Sequence, residues 1–345
     1  MSAQSRPRLV ALDGIRGVAA LVVLLFHLQL PIPAQFDRGY LMVDLFFMLS
    51  GFVLTLSAET RLRGGWPGWR FIIARYRRLL PVVFVGVAVG ALVYLVVTQP
   101  DWGVRGWTER LAMAALLIPI ITIQRDPALF PLNRAHWSLF FELLANILHA
   151  LILWRLKTRA LAALVAMCAL LFAWSCHHVG GSTAGAFQDN WHFGFFRVLF
   201  AYSCGMLMAR LWQARRPQGG RAALEAPVLA PLLVLAVSPL ETWLGDAIAV
   251  LVAFPAVIWL GAAPSPAGRL NAAMAWLGAI SYPLYAIHGP TLLLARHLGG
   301  GLLLESAAAA GSIGLAVIVA LTLERSRTRR RTADRDRASP LASEL

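Results

Sequence analysis

The chain has 345 residues, of which 59% are apolar and only 14% charged, with a mean hydropathy of +0.66. So few charges do not cover the surface of a water-soluble globule, and a disordered chain needs the reverse balance of high charge and low hydrophobicity, which leaves a membrane protein of many spans. The net charge is +14, from 31 Lys+Arg of which only Lys157 is a lysine; these residues sit at the ends of apolar stretches, as the positive-inside rule requires, which argues against a nucleic-acid partner.

The first eight residues carry Arg6 and Arg8 and are expected in the cytoplasm, with no cleavable signal pattern behind them. Apolar stretches then run near 9–30, 40–57, 79–98, 111–123, 137–154, 160–177, 193–212, 226–240, 243–262, 274–297 and 302–323. Leaving out the short 111–123 stretch, basic loops follow the second, fourth, sixth and eighth crossings, and seven arginines lie between Arg325 and Arg337. With these inside, both ends of 98–136 must lie outside. The 111–123 stretch contains Pro119 and is too short to cross comfortably. The expected fold is therefore all-α and polytopic, with about ten transmembrane helices plus one short re-entrant or interfacial segment. Its expected divisions are a cytoplasmic N-terminus over 1–8, a membrane domain over 9–323 and an Arg-rich cytoplasmic tail over 324–345. The three cysteines, Cys168, Cys176 and Cys204, form no disulfide framework. Cys176, His177 and His178 are adjacent and do not converge on one helix face, so no metal site is expected.

Ionisable residues at membrane depth are candidates for function. Arg16 and His27 lie eleven residues apart in the first span, on one helix face and ~16 Å apart along the axis. Asp44 lies one turn into the second span, at a depth close to that of His27. Arg75 and Arg78, spaced i,i+3 on one face ahead of the third span, suit phosphate recognition, with Arg77 beside them. Glu142 follows His136-Trp137-Ser138 in an aromatic run. Pro283 and Pro290 bracket Tyr285 and His288 and free backbone groups for partners.

In this order the motifs resemble the acyltransferase-3 family of integral membrane acyltransferases. The matching residues are Leu12-Asp13-Gly14-Ile15-Arg16-Gly17 with the spacing to His27, Val43-Asp44-Leu45-Phe46-Phe47-Met48-Leu49-Ser50-Gly51-Phe52, the Arg75/Arg78 pair, Trp137-Ser138-Leu139 with Glu142, and Ser281-Tyr282-Pro283-Leu284-Tyr285 with His288. Together they span roughly residues 9 to 323. Met42 and Ala286 depart from the family's usual Gly and Leu without touching a chemical role. The resemblance implies the stand-alone form, without a fused hydrolase-like domain. It implies transfer of an acyl group, often acetyl, from cytoplasmic acyl-CoA to a hydroxyl of a glycan or other acceptor, in the inner membrane and with no permanently bound cofactor. On that reading Arg16, Arg75, Arg77 and Arg78 meet the CoA phosphates. His27 is the base or a transient acyl carrier, Asp44 or Glu142 orients it, and Trp137, Ser138, Tyr285 and His288 line the acceptor or transfer path. A secondary transporter or flippase for a glycan or organic anion is the alternative, disfavoured by the lack of a repeat between the two halves.

Overall fold

The computed structural model describes residues 9–28, 37–98, 102–121, 127–215, 222–264 and 268–338. Helices dominate, and the described residues form no strand beyond an isolated bridge between Ala128 and Phe187. The expected N-terminal segment 1–8 and the last residues of the tail lie outside the described part.

In chain order the helices are α1 (Val10–His27), α2 (Met42–Leu54, continued by a π-turn over Thr55–Glu59 into α3, Thr60–Arg63), α4 (Gly68–Val97), α5 (Gly103–Ala115), α6 (His136–Leu151), α7 (Thr158–Val179), α8 (Trp191–Ala214), α9 (Ala222–Val237), α10 (Thr242–Ile248, running through a second π-turn into α11, Phe254–Gly261), α12 (Arg269–His297) and α13 (Gly301–Ala338). By length and composition, seven helical segments are apolar enough to cross a membrane: α1, the α2–α3 unit, α4, α7, α8, the α10–α11 unit and α13. The other three stretches expected to cross are also helical: α6 and α9 with 16 residues each and α12 with 29. Large apolar side chains such as Leu92, Leu170, Val252 and Ile318 are exposed on the outside of the bundle, as in a protein solvated by lipid.

Two elements differ from expectation. The third apolar stretch starts at 79, but α4 starts at Gly68, directly after Pro67, and runs for 30 residues; the arginine-bearing turns and the span are one continuous helix. The short stretch at 111–123 is not one element. α5 ends at Ala115, Leu117 takes a left-handed conformation with φ 54°, and the Ile120 N–H pairs with the Leu129 carbonyl at 2.9 Å.

Close backbone contacts set the helix pairs that matter for the site. α1 and α12 run side by side in the same direction: a Cβ added at Gly17 would lie 2.8 Å from the Leu277 carbonyl carbon, and one at Gly278 would lie 2.9 Å from the Asp13 carbonyl oxygen. Small residues at such crossings let backbones meet in the absence of a hydrophobic drive. α4 lies antiparallel to α6, with Gly68 against Ala150 at one end and Gly86 against His136 near the other. Asn133 fastens this layer to α12 by donating to the Ala286 carbonyl at 2.7 Å. The core between α2, α6, α8 and α11 is aromatic, with Phe47, Phe52, Phe141, Tyr202 and Phe254 fully buried.

Candidate active site

Arg16 sits in the second turn of α1 and is held from two helices. Its Nε donates to the Ser281 hydroxyl at 3.1 Å, and its Nη2 donates to Asp13 at 2.8 Å and to the Gly278 carbonyl at 3.2 Å. Nη1 has no partner among the described residues.

Arg75 and Glu142 meet in the middle of the α4–α6 layer. Arg75 Nη2 donates to Glu142 Oε1 at 3.1 Å, and the Ser50 hydroxyl of α2 donates to the same oxygen at 2.8 Å. Arg75 and Glu142, carried by different helices, thus lie at one level of the bundle. The continued α4 helix carries Arg75 inward, and the carboxylate compensates its charge. Glu142 Oε2 has no partner among the described residues, and Arg75 Nε is buried without one. The pair thus keeps a carboxylate oxygen and guanidinium N–H groups unused.

A cavity of about 760 Å³ lies between α1, α2, α4, α6, α12 and α13. Arg16, Arg75, Arg78, Glu142, Ser138 and Tyr285 line it, so six sequence candidates from four helices face one space. It begins at the end of the bundle that holds the first turns of α1 and α12, marked by Asp13 and Ala272. At its far end Ser138 Oγ and the Tyr285 hydroxyl are hydrogen-bonded at 2.7 Å.

His288 lies one turn beyond Tyr285 and is buried, and His27 closes α1 beside it, with ring centroids 4.9 Å apart. His27 is itself exposed. Its Nδ1 lies 2.8 Å from the Val23 carbonyl, and His288 Nδ1 lies 2.8 Å from the Tyr285 carbonyl. A carbonyl only accepts, so each Nδ1 carries the proton, and each neutral ring has a lone pair on Nε2. The group that orients His27 is thus a backbone carbonyl of its own helix, not Asp44 or Glu142.

Asp44 is fully buried and belongs elsewhere. Arg197 of α8 grips it from both sides, Nε to Oδ1 at 3.0 Å and Nη2 to Oδ2 at 2.8 Å, and the Ser182 hydroxyl adds a bond at 3.3 Å. The Arg197 guanidinium also lies 5.0 Å from the Trp137 ring centroid, which places Trp137 in this buried network rather than on the cavity wall. Arg77 points away from Arg75 and Arg78 into a separate shallow groove with Trp66, Trp69 and Arg70. His178 stacks on Trp174 and His177 packs against Trp243.

Several members of these networks were not among the sequence candidates. Arg197 stands in the run Phe193-Gly194-Phe195-Phe196-Arg197-Val198-Leu199-Phe200, and Asp246 in an apolar run of α10; the same rule that singles out Asp44 applies to both. Asp246 accepts the Tyr40 hydroxyl at 2.7 Å and the Ser182 N–H at 2.8 Å. On α6, Asn146 and His149 continue the side that carries Ser138 and Glu142, and the Tyr202 hydroxyl joins them, donating to Asn146 at 3.0 Å and lying 2.9 Å from His149 Nδ1.

The sequence profile of a family described as an acyltransferase domain matches residues 9–325. Among similar proteins, "Protein 2 in picA locus" of Rhizobium radiobacter is 36% identical over 166 residues, covering 44% of this chain and 85% of that protein. The "Putative membrane-bound transacylase BcsY" of Komagataeibacter xylinus is 26% identical over 330 residues, covering 90% and 79%. "Peptidoglycan O-acetyltransferase OatA" of Listeria monocytogenes is 32% identical over 99 residues, covering 28% of this chain and 15% of that protein. No solved structure matches the chain.

Proposed function

Since the chain belongs to the acyltransferase domain family, we propose that it moves an acyl group, acetyl first, from cytoplasmic acyl-CoA to a hydroxyl of a glycan or other exported acceptor. The name of one relative, a peptidoglycan O-acetyltransferase, supports a glycan-type acceptor, and the name of another, a membrane-bound transacylase, supports acyl transfer. The observation that carries the reading is the cavity that gathers Arg16, Arg75 and Arg78 on one side of the Ser138–Tyr285 pair, with the two imidazoles on the other.

In this reading the protein sits in the cytoplasmic membrane with both termini inside, and the cavity opens to the cytoplasm. Arg16, Arg75 and Arg78 receive the donor's phosphates, and the pantetheine arm carries the thioester toward Ser138 and Tyr285. The acceptor hydroxyl attacks the thioester carbonyl as Nε2 of His27 takes its proton. The C–S bond breaks, the C–O bond forms, and the proton passes from the imidazole to the thiolate, so protons balance. Attack by Nε2 itself, giving an acyl-imidazole that the hydroxyl then opens, balances equally.

The test uses the full chain purified in detergent, following CoA release with acceptor present beside donor binding by calorimetry. His27→Gln keeps some hydrogen bonding and removes the base. It should reduce transfer by roughly 10²–10⁴-fold while donor affinity stays within twofold. Near wild-type turnover in this variant would move the role to His288 or Glu142.

A further inference from the structure

At the end of the cavity that holds the first turns of α1 and α12, Trp276 lines the space and is 48% exposed. The other residues that α12 contributes there, Ala272, Ala275 and Ala279, end at Cβ and leave its ring uncovered. Among the described residues the indole makes no stacking, cation–π or hydrogen-bond contact. An exposed indole beside the cavity offers a large flat apolar face that a planar ligand would cover.

The lining around it is specific in charge. Arg16 of α1 and Arg78 of α4 supply cations, and Glu324 of α13 supplies a carboxylate at this end. Aromatic rings hold a nucleobase by stacking, carboxylates accept from an exocyclic amine, and guanidinium groups hold phosphates. We propose that Trp276 is the platform for the purine of the donor's nucleotide. The assignment rests on the acyl-CoA reading above and deepens it. The protein selects thioesters that carry the adenosine bisphosphate half of CoA over thioesters on a bare phosphopantetheine arm or on a carrier protein, whose surface offers no base to stack.

The test uses the full chain in detergent with two readouts. In calorimetry, adenosine 3′,5′-bisphosphate should bind wild-type protein, and Trp276→Ala should weaken it about tenfold, within the range of one base–aromatic stack. In kinetics the same variant should raise KM for acetyl-CoA by a similar factor with kcat held, while KM for acetyl-4′-phosphopantetheine moves less than twofold. Trp276→Phe should recover most of the loss. Equal effects on the two thioesters, or bisphosphate binding indifferent to Trp276, would overturn the subsite and leave the acyl-transfer reading intact. A wild-type protein that consumes neither thioester overturns the donor reading instead, and the subsite then stands or falls by the calorimetry alone.

Discussion

Asp44 shows how much and how little one residue in a sequence discloses. A carboxylate inside an apolar helix is costly and so attracts a functional reading. Its position was legible, but its partner, Arg197, lies 153 residues away and no local spacing points to it. The consequence concerns stability first. Removing one member of a buried, doubly bonded pair leaves the other charge stranded, at a cost of about 3–5 kcal/mol. Arg197→Met should therefore destabilise the purified protein by about that amount, and Asp44→Leu combined with Arg197→Met should regain most of it. Thermal unfolding in detergent reads both. A double variant as unstable as the single one would show that the pair does more than neutralise itself. The backbone acceptor for His27 was equally hidden, because a carbonyl four residues back exists in every helix.

Elements were legible where apolar runs end in turns and illegible where a charge is compensated. Hydropathy stops the third span at Leu79, because Arg75, Arg77 and Arg78 precede it. The structure continues the helix to Gly68, with Arg75 paired to Glu142. One helix then presents two faces. Arg75 and Arg78 line the cavity, and Arg77, displaced from Arg75 by two residues and ~200° of helical turn, lies in the groove with Trp66 and Trp69. Donor affinity should follow the faces. Arg75→Ala with Arg78→Ala should weaken acyl-CoA binding by one to two orders of magnitude, as charge-assisted bonds to phosphate are lost. Arg77→Ala should leave it within twofold. Calorimetry on the three proteins decides, and equal losses from both faces would detach the donor site from the cavity.

For the whole molecule, composition and arginine placement were enough to read an all-α membrane bundle, in which seven helical segments among the described residues are long and apolar enough to cross. Membership of the cavity was legible only in part, since it depends on which faces meet when α1, α4, α6 and α12 pack. The orientation has a direct test in a background without Cys168, Cys176 and Cys204. A cysteine at the exposed Asp189, between α7 and α8, should react with an impermeant thiol reagent added to intact cells, and one at the exposed Ser326 of α13 should not. Labelling of Ser326→Cys from outside would invert or break the arrangement. The bond between Ser138 and Tyr285 has an electrical meaning in such a membrane. In the proposed arrangement the cavity opens to the cytoplasm, so most of the transmembrane voltage would fall across the layer between Tyr285 and His27. Moving one unit charge through that layer costs about 2.3 kcal/mol per 100 mV. On the proposed reading, a neutral acyl group would cross that layer without electrical work, whereas the phosphates of its donor would meet the full drop.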